Sequence, residues 1–242
     1  SHSIAVSDRW ELNQKNTALT LGASYTDDSV TVRGLENQEK TSADLFAGIN
    51  QILDKNTVVS VNLTMGSTNG YLNDPYKSIQ RTDLISLPDG LGGTIDIPVV
   101  NTYAENRPDS RFRQVLVLQG VRYFESPGGA LDASLRLSND DFGVFSQTLQ
   151  LEWRQEVSDR WEIAPFLRHH HQNAADFFHN TLDGVPVAAP PDYPGGSEPN
   201  YSSDYRLSSL ETIGPGLRVT FKVSDEVSAY AAYERYHMRG SG

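Results

Sequence analysis

Apolar and polar residues alternate along most of this chain. In 17–25, Leu19, Leu21, Ala23 and Tyr25 fall on one side of an extended backbone, with Thr20, Gly22 and Ser24 on the other. In 57–66, Val59, Val61, Leu63 and Met65 oppose Ser60, Asn62 and Thr64. Segments 130–138, 147–157 and 212–223 repeat the pattern: Leu131, Ala133, Leu135 and Leu137; Leu149, Leu151 and Trp153; Ile213, Leu217, Val219 and Phe221. Successive strand side chains point to opposite faces, so this period reads as strand. The best helical candidate, 42–53, reads as well with Leu45, Ala47 and Ile49 on one strand face.

Short polar bends punctuate the pattern at 13–16, 53–56, 126–129, 157–160 and 223–226. Their composition is that of hairpin turns. Between them lie other connections: 27–40, about 70–110, 139–143 and the Pro/Gly-rich stretch about 181–205. Tight turns therefore alternate with more elaborate loops, as in an up-and-down meander trimmed at one end. The expected strands number about ten: 2–12, 17–27, 41–52, 57–68, 111–124, 130–139, 144–156, 161–173, 206–222 and 227–237. Pro165 and Pro215 fall inside two of them, where each removes a ladder donor and predicts a bulge or break.

The fold class is all-β, an antiparallel up-and-down transmembrane β-barrel or a large part of one, in a single domain over 1–242. No apolar run approaches the ~20 residues of a membrane helix, but a barrel strand needs only ~10 with alternate ones apolar. A soluble β-sandwich binding a ligand or glycan fits the alternation but not the loop asymmetry. The net charge of −11 and the lack of a basic cluster argue against a nucleic-acid partner. Cysteine is absent, which removes disulfides and thiolate metal sites.

Each face has its own chemistry. Trp10, Tyr25, Tyr123, Trp153, Trp161 and Phe221 stand near strand ends, as expected of interfacial aromatic girdles. The pentapeptide Ser-Asp-Arg-Trp-Glu occurs at 7–11 and 158–162, and both copies put a Trp beside a polar bend at the trimmed end. In a closed sheet, Asp132, Arg136, Glu152, Arg154, Arg168, Arg218 and Glu234 would form an interior charge network.

Five stretches carry a resemblance: 69–78 (NGYLNDPYKS), 105–114 (ENRPDSRFRQ), 138–156, 165–178 (PFLRHHHQNAADFF) and 232–240 (AYERYHMRG). Together, in this order, they resemble the DUF3570 family of bacterial outer-membrane proteins. The resemblance implies a β-barrel in the outer membrane of a Gram-negative bacterium, with the lipid bilayer as its surroundings. It implies no established activity. It also implies further strands before Ser1 and a last strand beyond Gly240. A small lipoprotein or a redox protein of the envelope is the partner class it suggests.

The remaining candidates are chemical. His169, His171, Asp176 and His179 are a candidate transition-metal set, against a plain reading as a polar strand end. Asp27, Asp28, Asp140, Asp141 and the 181–205 loop are candidate Ca²⁺ ligands, without the spacing of a known calcium loop. Arg107 and Arg111 are expected to pair with Asp109, Asp74 or the acids of 139–141, as ion pairs at a loop base. No spacing nominates a catalytic site, so the chain reads as non-enzymatic: a pore, conduit or scaffold. A hydrolase on the barrel wall is the remaining enzymatic alternative.

Overall fold

A computed structural model of the chain describes residues 1–32, 37–187, 195–197 and 199–241. The strands are β1 (His2–Leu12), β2 (Thr17–Val30), β3 (Gln38–Asp54), β4 (Thr57–Gly70), β5 (Ser78–Pro88), β6 (Thr94–Ala104), β7 (Ser110–Phe124), β8 (Gly129–Asp140), β9 (Phe145–Ser158), β10 (Trp161–Gln172), β11 (Ser209–Lys222), β12 (Ser228–Glu234) and β13 (His237–Ser241). One 3-10 turn, Tyr205–Leu207, precedes β11. The main sheet has eleven strands in the order β1-β2-β3-β4-β7-β8-β9-β10-β11-β12, with β13 also on β11. Every pairing in it is antiparallel. The expected meander is therefore present. Closure is not: among the described residues β1 and β12 stand at opposite ends of the strand order and do not pair.

Two expectations about strands are corrected. The connection at 70–110 contains a separate hairpin, β5–β6, instead of an irregular loop. The last expected strand is two, β12 and β13. The break lies opposite Pro215: pairing stops at Gly216 with Glu234 and resumes at Ile213 with His237. Between them the Arg235 amide donates to the Pro215 carbonyl at 3.0 Å. Pro165 acts likewise on its other neighbour. Pairing with β9 skips Ala164 and Pro165, while pairing with β11 runs through both prolines without a shift. A proline has no N–H to give, so each interrupts the ladder on one side only.

Register fixes the faces. Ile4, Val6 and Trp10 of β1 lie opposite Tyr25, Ala23 and Leu19 of β2. The same row continues through Leu45, Ala47 and Ile49 of β3 and Met65, Leu63 and Val61 of β4. It reaches Leu116 and Leu118 of β7, Leu137 and Leu135 of β8, Leu149 of β9 and Leu167 of β10. Tyr25 and Ala23 of β2 and Leu45, Ala47 and Ile49 of β3 are exposed, while Ser24, Asp44 and the other positions between them, Phe46 and Gly48 included, are half-buried. Leu45 keeps 62% of its surface exposed. A sheet folded for water has the opposite sense, with its apolar side packed away.

Aromatics mark both ends of that apolar face. Trp10, Phe124, Trp153, Trp161 and Phe221 stand at the trimmed end, with Trp161 and Phe221 packed at 4.7 Å and Phe124 and Trp153 at 5.6 Å between ring centroids. Tyr25, Phe112 and Phe145 stand toward the loops. Tyr123 is corrected. It pairs with Ala130, which pairs with Arg154, so it belongs to the polar face.

The packed cores lie in the loops. Ile79, Leu182, Val187 and Tyr201 form one cluster; Phe142, Ala175, Phe177 and Leu207 form another. Both join the β4–β7 connection or the short 141–144 loop to the segment between β10 and β11. Leu182 donates its amide to the Gln80 carbonyl, and Asn106 and Tyr201 exchange backbone hydrogen bonds at 2.9 and 2.8 Å. The loops thus form a cap with the interior of a small water-soluble domain.

Candidate functional site

The polar face holds its charges in two groups. Near the trimmed end, Arg154 donates to Glu152 at 2.7 Å and reaches Asp132 at 3.5 Å, while Arg218 donates to Glu152 at 2.6 Å. Gln119 donates to Asp132 at 3.0 Å. These side chains come from β7, β8, β9 and β11, so one network ties four strands together across the face. Each carboxylate meets a cation or an amide donor, which offsets its partial loss of water.

Four members of the expected interior network therefore converge: Asp132, Glu152, Arg154 and Arg218. The other three do not join them. Arg136, Arg168 and Glu234 line a separate cavity of about 430 Å³ nearer the loops, with His170, Thr148 and Thr212.

Above the polar face sits the cap, anchored by Asp140 at the end of β8. Its carboxylate takes both the Nε, at 2.9 Å, and an Nη of Arg111. It also accepts the Phe142 and Val144 amides at 3.1 and 3.0 Å, which fixes the short turn. The Arg111 guanidinium lies 4.8 Å from the Phe142 ring centroid. Gly143 sits there with φ +79°, and a β-carbon on it would overlap the Asp176 carboxylate. Only glycine fits on both counts.

A buried ion network lies within the cap. Arg107 donates to Glu105 at 3.0 Å and to Asp204 at 2.8 Å. Arg206 pairs with Asp204 and with Asp74, the latter at 2.5 Å. Ser202 donates to Glu105 at 2.6 Å. The Asp204 side chain is 0% exposed and that of Glu105 is 1%. Burial pushes the Asp204 carboxyl upward, but the hydrogen bonds from Arg206 and Arg107 outweigh it and hold it below the usual carboxylate range. Asp74 is also lowered: burial raises it, and the Tyr76 amide and Arg206 more than compensate. Arg206 is held more firmly protonated by its hydrogen bonds to Asp204 and Asp74. Between cap and sheet lies a cavity of about 400 Å³, lined by Lys40, Asp44, Arg113 and Tyr71 among others.

The loop-base expectation is partly redrawn. Arg111 pairs with Asp140, one of the expected acids. Arg107 pairs with Glu105 and Asp204 instead of Asp109 or Asp74, and Asp74 goes to Arg206. Asp109 packs against Gly196. Glu105, Ser202, Asp204 and Arg206 escaped sequence reading because Arg107 and Asp204 stand 97 positions apart in the chain.

The candidate metal ligands do not meet. His169 and His171 lie in register with Leu149 and Gln147, on the apolar face, and His169 contacts Glu211 at 3.3 Å. Asp176 packs on Gly143, and His179 is tied by its amide to Ser202 in the cap. Among the described residues no three His, Asp or Glu side chains gather as metal ligands. Of the candidate Ca²⁺ ligands, Asp140 is held by Arg111 and Asp141 accepts the Phe112 amide at 2.9 Å. Asp27 and Asp28 pair with Thr41 and Lys40 along β3. Residues 188–194 and 198 of the 181–205 candidate lie outside the described residues.

A family model described as a protein of unknown function, DUF3570, matches residues 31–241. No curated protein matches the chain. Among solved structures, the chain is similar to the β-domain of the Bordetella autotransporter Brka, with 13% identity and a TM-score of 0.40 over 98% of this chain and 83% of that one. It is also similar to BamA from Haemophilus ducreyi lacking POTRA domains 1–3, with 11% identity and a TM-score of 0.47 over 98% of this chain and 49% of that one.

Proposed function

The chain belongs to the DUF3570 family, and from that premise we propose that it forms the wall and cap of a non-enzymatic outer-membrane β-barrel in a Gram-negative bacterium. The apolar face meets lipid, and the polar face lines an interior covered at the loop end. The observation that carries this reading is the inverted exposure of the two faces, with Leu21, Leu45, Ile49 and Val61 open while Thr20, Ser24, Asp44, Ser60 and Asn62 on the other face are half-buried. In water, an apolar face running across ten strands would far exceed the few hundred Å² that soluble monomers expose. Aromatics at both of its ends suit the two interfaces of a bilayer.

The free edges of β1 and β12 are closed, in this reading, by further strands, as the family resemblance implies. A bilayer does not tolerate an open sheet edge. The cap favours a covered conduit or a scaffold over a permanently open pore. Its two packed clusters and buried ion pairs resist removal more than a loose loop would. The partner class for a scaffold is a small lipoprotein or redox protein of the envelope, which would co-purify in detergent.

The test is electrophoretic mobility before and after heating, on protein extracted in detergent. The barrel is expected to stay compact until boiled. A single mobility together with full solubility without detergent contradicts it. Conductance in a planar bilayer then separates conduit from scaffold. A conduit passes current, and passes more when residues 78–104 are deleted; a scaffold passes none in either form.

A further inference from the structure

The polar face carries four guanidiniums on β8–β11, and they fall into two unlike pairs. Arg154 and Arg218 are held by carboxylates. Arg136 and Arg168 line the cavity of about 430 Å³, and among the described residues neither forms an ion pair or a hydrogen bond. The ladder explains why. Arg136 lies opposite Val117 and Thr148, and Arg168 opposite Gln150 and Gly214. No cross-strand neighbour of either is acidic. Gly214 adds no side chain of its own beside Arg168; the space above it is taken by the Glu234 side chain, as the space above Gly216 is taken by the Phe166 ring.

Hydroxyls complete the lining. Ser138, Ser146 and Thr212 open onto the same space. His170 lines the same cavity, with its Nδ1 2.8 Å from the Thr148 hydroxyl. Glu234 is the one carboxylate of the lining and reaches over Gly214.

We propose that this cavity binds a small oxyanion, with Arg136 and Arg168 as the paired guanidinium donors and the Ser and Thr hydroxyls completing its hydrogen bonds. Guanidinium is the side chain whose donors match the oxygens of phosphate and carboxylate. Two of them facing one space raise the local potential, and an anion is the partner that relieves it. Glu234 limits the charge that the site accepts. This goes beyond the wall-and-cap reading and requires no current through the interior.

The test is calorimetric titration of the detergent-purified full chain with inorganic phosphate, and separately with a dicarboxylate, at constant chloride. Saturable binding of either oxyanion is expected, and the tighter one identifies the solute class. Arg136→Gln and Arg168→Gln should each weaken it roughly tenfold, the effect of losing one charged hydrogen-bond donor. Arg160→Gln, which removes the same charge at the far turn, should leave it unchanged, and Glu234→Gln should tighten it. Absence of saturable binding to both, or equal weakening by Arg160→Gln, overturns the site. Because the titration needs no bilayer, its failure would leave the barrel reading standing, and a missing conductance would leave this site standing.

Discussion

In the proposed reading, the wall and the cap are built for different solvents from one chain. In the wall, the apolar side of β2 and β3 is the open one, and stability rests on the hydrogen-bonded ladder and on what surrounds the sheet. In the cap, Ile79, Leu182 and Tyr201 are sealed among themselves, and charges are buried only where they are paired. A side chain of one chemistry thus has opposite value in the two regions. Leucine at 45 is correct when exposed; leucine at 182 is correct when hidden.

The sharpest way to break the cap alone is Arg107→Ala. It leaves Glu105 and Asp204 buried with a partner missing, a loss of about 3–5 kcal/mol. Limited proteolysis should then cut within 71–109 or 173–208, while the wall still resists detergent unfolding before heating. The wall is broken by Leu45→Arg. A charge at the lipid-facing middle of a barrel strand destabilises by about 2–4 kcal/mol. Urea unfolding in lipid vesicles would measure it. For a sheet in water the same exchange at a 62%-exposed leucine would be close to neutral.

Acid separates the regions more gently. Asp74 and Asp204 titrate below the usual carboxylate range in the folded cap. Their contribution is complete above the unfolded value of ~3.9 and is lost as pH falls through the lower folded values. Proteolytic opening of the cap should therefore set in below about pH 4, with the strand circular dichroism retained. The smallest expected effect is Phe221→Leu, which removes the ring pair with Trp161 and about 0.5–1.5 kcal/mol, readable as a lower unfolding midpoint with the cap unaffected.

The wall was legible in the sequence because its rule is local. Period-two alternation and polar bends placed β1–β4 and β7–β12 within a few residues. Tyr123 was misplaced because 115–124 offers apolar residues on both registers: Val115 and Val117 face the polar side, Leu116 and Leu118 the other. Only pairing decides between them. The β5–β6 hairpin had a readable signal, the run Pro88-Asp89-Gly90 between two β-rich stretches, hidden by the length of the connection around it. The cap was the least legible part. Its contacts join segments about a hundred positions apart, and no local period records which arginine will meet which acid. The same holds for His169 and Asp176, near in sequence but separated by a face and a loop.

All three tryptophans, Trp10, Trp153 and Trp161, stand on the apolar face near the trimmed end. Their fluorescence reports directly which solvent that face meets. The deciding measurement is quenching of the reconstituted protein by brominated lipids and, separately, by aqueous iodide. Strong quenching by lipids brominated near the headgroup, with little effect of iodide, is the expected result. Strong quenching by iodide with none by brominated lipid would place the apolar face in water and contradict the membrane wall.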